Sequence, residues 1–359
     1  MSARVNVPRA LLVLTAAVLA SAVARRNWAQ NNELNVQFHA FQDTRSVTVL
    51  TPTVDLSKDF TDRTAVRVNF GLDAISAASD SCARCHSEGA NNSRLAGGLT
   101  VTRKFDSLKL GVGGAFGQEK FYRATTLLAS VSRDLENGNA TIAGGYTFSL
   151  NQPTLHPTAE VERQVTNGAY VSLTQTLSKS TIAQFGYEIG HISGYQDDPY
   201  LRANVNGTPT VGHVPDVRTR HTFTARLRQA LPAQTVLEAD YRHYFDDWQL
   251  TSNAISLGLS HHFTPAFLAS FAYRRYDQTG AYFFAPAYTG TPEFFTADFR
   301  LEPFASGLYT AGLVITPQAS RWRLPEGAGL LLLYERYHAD NSFDSGIVSA
   351  GLRIPLKPR

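Results

Sequence analysis

The stretch TAVRVNFGLDAI, residues 64–75, alternates residue by residue. Val66, Val68, Phe70, Leu72 and Ala74 share one face of an extended chain, and Ala65, Arg67, Asn69, Gly71 and Asp73 share the other, because successive strand side chains point to opposite sides. The same period of two recurs in LKLGVGGAFG (108–117), ATIAGGYTFSL (140–150), FTARLRQ (223–229) and LEADYRHY (237–244), and again in GIVSAGLRIPL (346–356). Each is a strand with one apolar and one more polar face, so the chain reads as all-β.

The connections decide between a soluble sandwich and a barrel in a membrane. Short ones fall at SKDFTD (57–62), FDS (105–107), ENGN (136–139), SKS (178–180), LPAQ (231–234) and FTPA (263–266). Long ones lie between them, at 76–96, 150–165, 192–218 and 277–296. Strands of about ten residues, joined by short turns on one side and long loops on the other, are the pattern of an outer-membrane barrel. A sandwich would bury its apolar faces and would not line the opposite faces with Arg, Asp, Glu and Gly. The expected fold is therefore an antiparallel transmembrane β-barrel of about 16 strands, starting near 35–41 and 46–56 and ending at 345–356, with short periplasmic turns and long extracellular loops. A barrel of that size is wide enough for a water-filled channel. Phe148, Tyr187, Tyr241, Tyr244, Tyr273, Tyr276, Tyr334 and Tyr337 are expected in aromatic girdles at the two lipid interfaces. Arg67, Arg226, Arg228, Glu238, Asp240, Arg242 and Arg274 are expected to line the pore, together with Glu188, Glu335 and Arg336. They would act either as a selectivity surface or as a solvated, mutually neutralising wall.

The N-terminus begins MSARVNVPRALLVLTAAVLASAVARR. Arg4 and Arg9 precede an apolar run over residues 10–24 that ends in Ala22-Val23-Ala24, which is the pattern of a cleaved secretory signal. The run is short for a membrane span of about 20 residues. The expected layout is a signal peptide over 1–24, an N-terminal linker over 25–34 and one barrel domain over 35–359, with a loop over 77–96. The 33 basic and 30 acidic residues nearly balance, and two of the arginines lie in the signal. That balance argues against nucleic acid as a partner. Outer-membrane lipid is the expected surrounding.

From here the sequence resembles a family of Gram-negative outer-membrane barrels known only as a domain of unknown function, number 3570. The resemblance lies mainly in VDLSKDFTDRTAVRVNFGLDAISAAS (54–79), an L-S-K-D turn followed by a strand ending D-A-I-S-x-A-S, and in the closing strand L-R-I-P-L (352–356). It implies an outer-membrane barrel over the whole mature chain and no assigned activity. The family pattern implies a cysteine-free loop after this strand, whereas here that loop reads SDSCARCHSEG (79–89). The chain ends L-K-P-R, without the terminal aromatic residue common in such barrels.

Cys82 and Cys85 are the chain's only cysteines, and His86 follows them at once. C-x-x-C-H is the attachment motif of c-type haem. Two thiols at this spacing bond the haem vinyls while the adjacent imidazole takes the iron. Export would supply the compartment in which attachment occurs. Chance placement of the two cysteines and a following His has a frequency on the order of 2 in 10,000 at this composition. The alternatives are a loop disulfide, or a zinc or redox site for which two Cys and one His are an incomplete set. The sequence reading is thus one covalent haem c on Cys82, Cys85 and His86, with His156 or His213 as sixth ligand. The haem would serve as a surface electron relay, or the barrel as a dock for a partner cytochrome. The alternative is a porin, passive or selective for a small solute, with the C-x-x-C merely a loop disulfide. No strand-borne Ser, His and Asp set points to catalysis, so the chain is not expected to be an enzyme. GVGGAFG (111–117) precedes no helix and reads as lumen-facing glycine. Asp197-Asp198 and Asp246-Asp247 read as solvated loop carboxylates.

Overall fold

The structure is a computed structural model that describes residues 32–44, 47–77, 91–135, 138–155, 158–198, 201–317 and 325–356. Seven strands form the first half: β1 (Glu33–Asp43), β2 (Val47–Thr61), β3 (Thr64–Ala77), β4 (Asn91–Phe105), β5 (Leu108–Glu119), β6 (Tyr122–Leu135) and β7 (Ala140–Pro153). They are followed by β8 (Gln164–Ser178), β9 (Thr181–Gly194), the short β10 (Arg202–Val205) and β11 (Thr208–Val211), β12 (Val217–Leu231) and β13 (Thr235–Asp246). The last are β14 (Thr251–Thr264), β15 (Phe267–Gln278), β16 (Phe304–Ile315), β17 (Gly329–Ala339) and β18 (Asp344–Pro355). All except β10 and β11 pair with their sequence neighbours in one antiparallel sheet, which closes where β1 pairs β18 from Glu33↔Pro355 to Asp43↔Ser345. The barrel has sixteen strands.

Closure follows from the residues. The outward positions are apolar: Phe38, Leu127, Phe185, Leu257 and Val348 each leave more than half their surface uncovered, which water would penalise and lipid does not. In lipid every backbone N–H and C=O must be paired within the protein, so a sheet there must have no edge. A strand of 12 residues such as β5, rising about 3.3 Å per residue and tilted by about 40°, crosses a hydrocarbon core of about 30 Å. Among the described residues no helix is long and apolar enough to cross a membrane.

The connections sort onto two rims as the sequence led one to expect, with differences. One rim carries residues 78–90, 154–163, 195–216 and 279–303, beside tight turns at 44–46, 120–121, 247–250 and 340–343. The other carries turns of two to four residues, with one exception at 316–328. The loop expected over 77–96 is shorter than its sequence suggested. Residues 91–96 belong to β4 and pair with β3, from Ser76↔Asn91 to Gly71↔Ala96. Their polar start, Asn91-Asn92-Ser93-Arg94, concealed a strand.

The interior has no single core. Inside the closing seam, Phe41, Val47 and Val49 bury themselves against Phe343 and Ile347. At the long-loop rim, Val214, Trp248, Leu250, Ala281, Phe283 and Leu301 form a second buried cluster. Its residues come from 195–216, 247–250 and 279–303, so these connections fold together into a lobe. β10 and β11 form a ribbon in that lobe, turning at Asn206 and Gly207, both with positive φ. Asn-Gly is the pair such a turn favours.

Candidate functional site

The site is the lumen and the lobe at its mouth. Strand parity assigns each expected pore residue a face. On β12, Phe223 and Leu227 are exposed outwards, so the alternating Arg218, Arg220, Thr222, Thr224, Arg226 and Arg228 face inwards. On β13 the exposed Leu237 and Tyr241 put Glu238, Asp240, Arg242 and Tyr244 inside. On β15 the exposed Phe271 puts Arg274 and Tyr276 inside. On β3, Val68 and Phe70 face out and Arg67 faces in. Arg336 is different: it alternates with the exposed Leu332 and Tyr334, so it lies on the outer face and reaches Asp344 on β18 at 3.5 Å. Charge alone suggested the lumen for it, and parity decides against that.

Three of the girdle tyrosines are also corrected by parity. Tyr187, Tyr241, Tyr273 and Tyr334 share the outer, apolar positions, as does Phe148, but Tyr244, Tyr276 and Tyr337 are on the inner face. Each stands three residues after an outward tyrosine or one of its face (241/244, 273/276, 334/337), and three is an odd step in a strand.

Inward charges near the short-turn rim neutralise one another. Arg226 pairs with Asp240 and donates to Gln184 Oε1 at 2.9 Å. Arg228 pairs with Glu238 at 2.5 Å. Arg67 donates to Asp55 from Nε at 3.1 Å and Nη2 at 2.9 Å. Higher up, Asp246 is fully engaged: it accepts from Arg218 Nε at 2.8 Å, from Tyr244 Oη at 2.6 Å and from Leu250 N at 3.0 Å. Arg218 also lies over the Trp248 ring at 4.2 Å. This buried carboxylate was read from sequence as solvated. Its ion-pair partner, Arg218, lies 28 residues away on β12.

The lobe is cross-braced. Val205 bridges Tyr288 and His213 bridges Phe295. Tyr288 Oη accepts from Ala285 N and Thr296 N, each at 3.0 Å. Arg300 forms a two-toothed pair with Asp298 and approaches Asp198 at 3.4 Å. Thr296 Oγ1 donates to Asp197 Oδ1 at 2.8 Å, while Asp197 Oδ2 is buried without a partner. Burial raises the Asp197 pKa to about 7 against the opposing Thr296 hydrogen bond. Asp197 and Asp198 are thus buried rather than solvated. Asp198 acts electrostatically on Glu119, at the end of β5, and Arg300 acts on both Tyr122 of β6 and Arg220 of β12. The lobe therefore reaches across the mouth from β12 towards β5 and β6.

His213 is exposed on this lobe, with its ring stacked on Phe294 at 5.5 Å. Cys82, Cys85, His86 and His156 lie outside the described residues. Among the described residues no group of three or more His, Cys, Asp and Glu is placed to hold a metal ion.

A closed barrel with an apolar outer face and a charged lumen is an outer-membrane β-barrel. The chain belongs to the family described as "Protein of unknown function (DUF3570)", whose model matches residues 83–346; the 54–79 stretch lies ahead of that match. No curated protein matches. CdiB from Acinetobacter baumannii has a similar solved structure, at 9% identity and a TM-score of 0.54, covering 90% of this chain and 60% of that one. The outer membrane protein OpdK from Pseudomonas aeruginosa aligns at 8% identity and a TM-score of 0.46, over 90% of this chain and 97% of that one. The ferric enterobactin receptor PfeA from the same organism aligns at 12% identity and a TM-score of 0.45, over 86% and 54%.

Proposed function

We propose that this protein is a substrate-selective channel of the outer membrane, with its long-loop rim outside the cell. The observation that supports this is the lumen wall. Beneath a braced lobe, the inner face is lined by polar, small and charged side chains, where the outer face is apolar. The lobe narrows the mouth, and the charges beneath it choose among the solutes that pass. Planar-bilayer recording of the full chain tests the reading. Discrete conductance steps are expected, and a barrel that inserts yet never conducts would sink it.

A second reading rests on a separate observation, C-A-R-C-H in the connection between β3 and β4, on the same rim as the lobe. There Cys82 and Cys85 would anchor one haem c, His86 would be its proximal ligand, and the exposed His213 or His156 would be the sixth. The covalent cofactor would carry the electron and the barrel would supply placement and axial ligation, passing charge to a partner cytochrome. A haem stain of the denatured chain, expressed with cytochrome c maturation machinery beside a Cys82→Ala/Cys85→Ala control, decides it. A stained wild-type band supports the relay. An unstained one, from cells in which a known cytochrome stains, leaves the channel alone.

A further inference from the structure

Three strands that run in the same direction carry one short pattern: Tyr241-Arg242-His243-Tyr244 on β13, Tyr273-Arg274-Arg275-Tyr276 on β15, and Tyr334-Glu335-Arg336-Tyr337 on β17. In each, the second and fourth residues face the lumen. The pattern shifts by one inward position per repeat. Arg242 thus shares a hydrogen-bonded row with Tyr276, through Ala254, and Arg274 shares one with Tyr337, through Leu308. Beside these rows the intervening β14 offers Ser252, Ala254 and Ser256 on this face, so the two arginines are separated by small side chains.

Neither charge has a direct partner: among the described residues Arg242 and Arg274 make no ion pair or hydrogen bond, and the two repel each other. Arg220, towards the mouth on β12, has a buried Nε with no partner. Its nearest carboxylate, Asp246, is taken by Arg218. Two further acids are near: Asp240 shares the row of Arg274 through Ser256 and is paired with Arg226, and Glu335 accepts from Thr310 Oγ1 at 3.4 Å and acts on Arg274 without touching it. Arg242 is exposed in the lumen and Arg274 half-buried, so both are open to exchange water for an anion, and their fork geometry suits carboxylate and phosphate oxygens.

We propose that Arg242 and Arg274 bind the oxyanion group of a small solute inside the lumen, beside Tyr337 and Tyr276, whose hydroxyl donates to Gln278 Oε1 at 2.6 Å, and that Arg220 receives it at the mouth. This rests on the channel reading and names the solute class. Glu335 lies one inward position from Tyr337, beside the row rather than in it, and limits the site to one anionic head.

The test uses the full chain, wild type and Arg242→Gln/Arg274→Gln, with Arg336→Gln on the outer face as control. In planar bilayers, chloride should pass more readily than potassium, and inorganic phosphate or succinate should block the chloride current. The double variant should lose the preference and need at least about tenfold more blocker, and the control should match wild type. Block by phosphate alone or by succinate alone identifies which oxyanion the site takes. Titration calorimetry of phosphate and succinate into the detergent-solubilised barrel separates the two claims. Binding that the double variant loses, in a chain that never conducts, would overturn the channel and keep the site. Conduction without anion preference or binding would overturn the site and keep the channel.

Discussion

The two halves of the lumen wall are made of different chemistry. From β4 to β8 the inward positions are mostly small and neutral: Gly98 and Thr100, Gly111 and Gly113, Thr126 and Ser130, Gly145 and Thr147. On β12, β13, β15 and β17 they are charged and bulky, led by Arg218, Arg242, Asp240, Arg274 and Glu335, with smaller residues on β14 and β16 between them. The lobe grows from the charged side, since its cluster is built on Trp248 and Leu250 after β13 and on residues 279–303 after β15. It stretches across to the smooth side. In the proposed channel, a solute passing beneath it would meet a wall that only guides on one hand, and a wall that binds on the other. On the proposed channel reading, the asymmetry assigns the narrow part to one half of the barrel and leaves the other half to keep the bore open.

That contrast predicts unequal costs for substitutions. The largest is expected at Asp246→Ala on the charged side, which leaves Arg218 buried and unpaired and removes the anchor of Leu250. About 3–5 kcal/mol of stability should be lost, read as the urea midpoint of the refolded barrel. Thr126→Val on the smooth side, which breaks only the 2.8 Å bond to Ser149, should cost about 1 kcal/mol. Similar losses at the two positions would erase the distinction.

Next in size is a test of the faces themselves. Leu257→Arg, on the lipid side of β14, should cost about 2–4 kcal/mol. Ser256→Arg, one residue earlier and facing the lumen, should cost under about 1 kcal/mol. Comparable costs would mean that the inward and outward assignments on β14 are reversed or that its outer face is not in lipid.

On the smooth wall, Gly145 makes room for the Tyr170 ring, which a Cβ would strike. Gly145→Leu should cost about 1–3 kcal/mol by overpacking and should lower conductance, because the displaced ring enters the bore. Unchanged conductance would show that the smooth half does not border the solute path.

The smallest effect on the barrel as a whole comes from Asp197, which loosens the lobe without opening the strands. Its pKa is raised to about 7 from 3.8, so between those values the folded lobe holds a proton that the unfolded chain has lost. Lobe stability is therefore full below about pH 4, declines as pH rises to about 7 and is flat above that. Hydrogen exchange of lobe amides should follow this course, and Asp197→Asn should flatten it. A wild-type profile without slope in that window would place Asp197 in solvent.

The strands were legible in the sequence because alternation is a local signal. The expected first, second and last strands, near 35–41, 46–56 and 345–356, appear as β1, β2 and β18. The position of Arg336 and the three inward tyrosines were legible too, had parity been counted along TAVRVNFGLDAI-like stretches rather than residues weighed by type. The ribbon in the lobe carried its own mark in Asn206-Gly207. What could not be read is the lobe's core. Trp248, Val214 and Leu301 are each flanked by polar loop sequence, and only contacts across tens of residues bury them. The same holds for Asp197 and Asp198, held by Thr296 and Arg300, and for the ion pair of Asp246 with Arg218. The haem motif keeps the standing it had as sequence, since Cys82, Cys85 and His86 lie outside the described residues.

The seam between β1 and β18 has a kinetic meaning. Every other strand pair in the barrel joins neighbours in the chain, but this one joins Asp43 to Ser345, some three hundred residues apart. Pairings so distant in sequence form slowly, because the whole intervening chain must be ordered before they are rewarded. Until then the half-built sheet has two open edges, each able to pair with a foreign strand. Phe41, Val47 and Val49, buried against Phe343 and Ile347, act as a latch on the last step: they gain their shelter only when the ring shuts, so the final zippering is also the point at which assembly becomes hard to reverse.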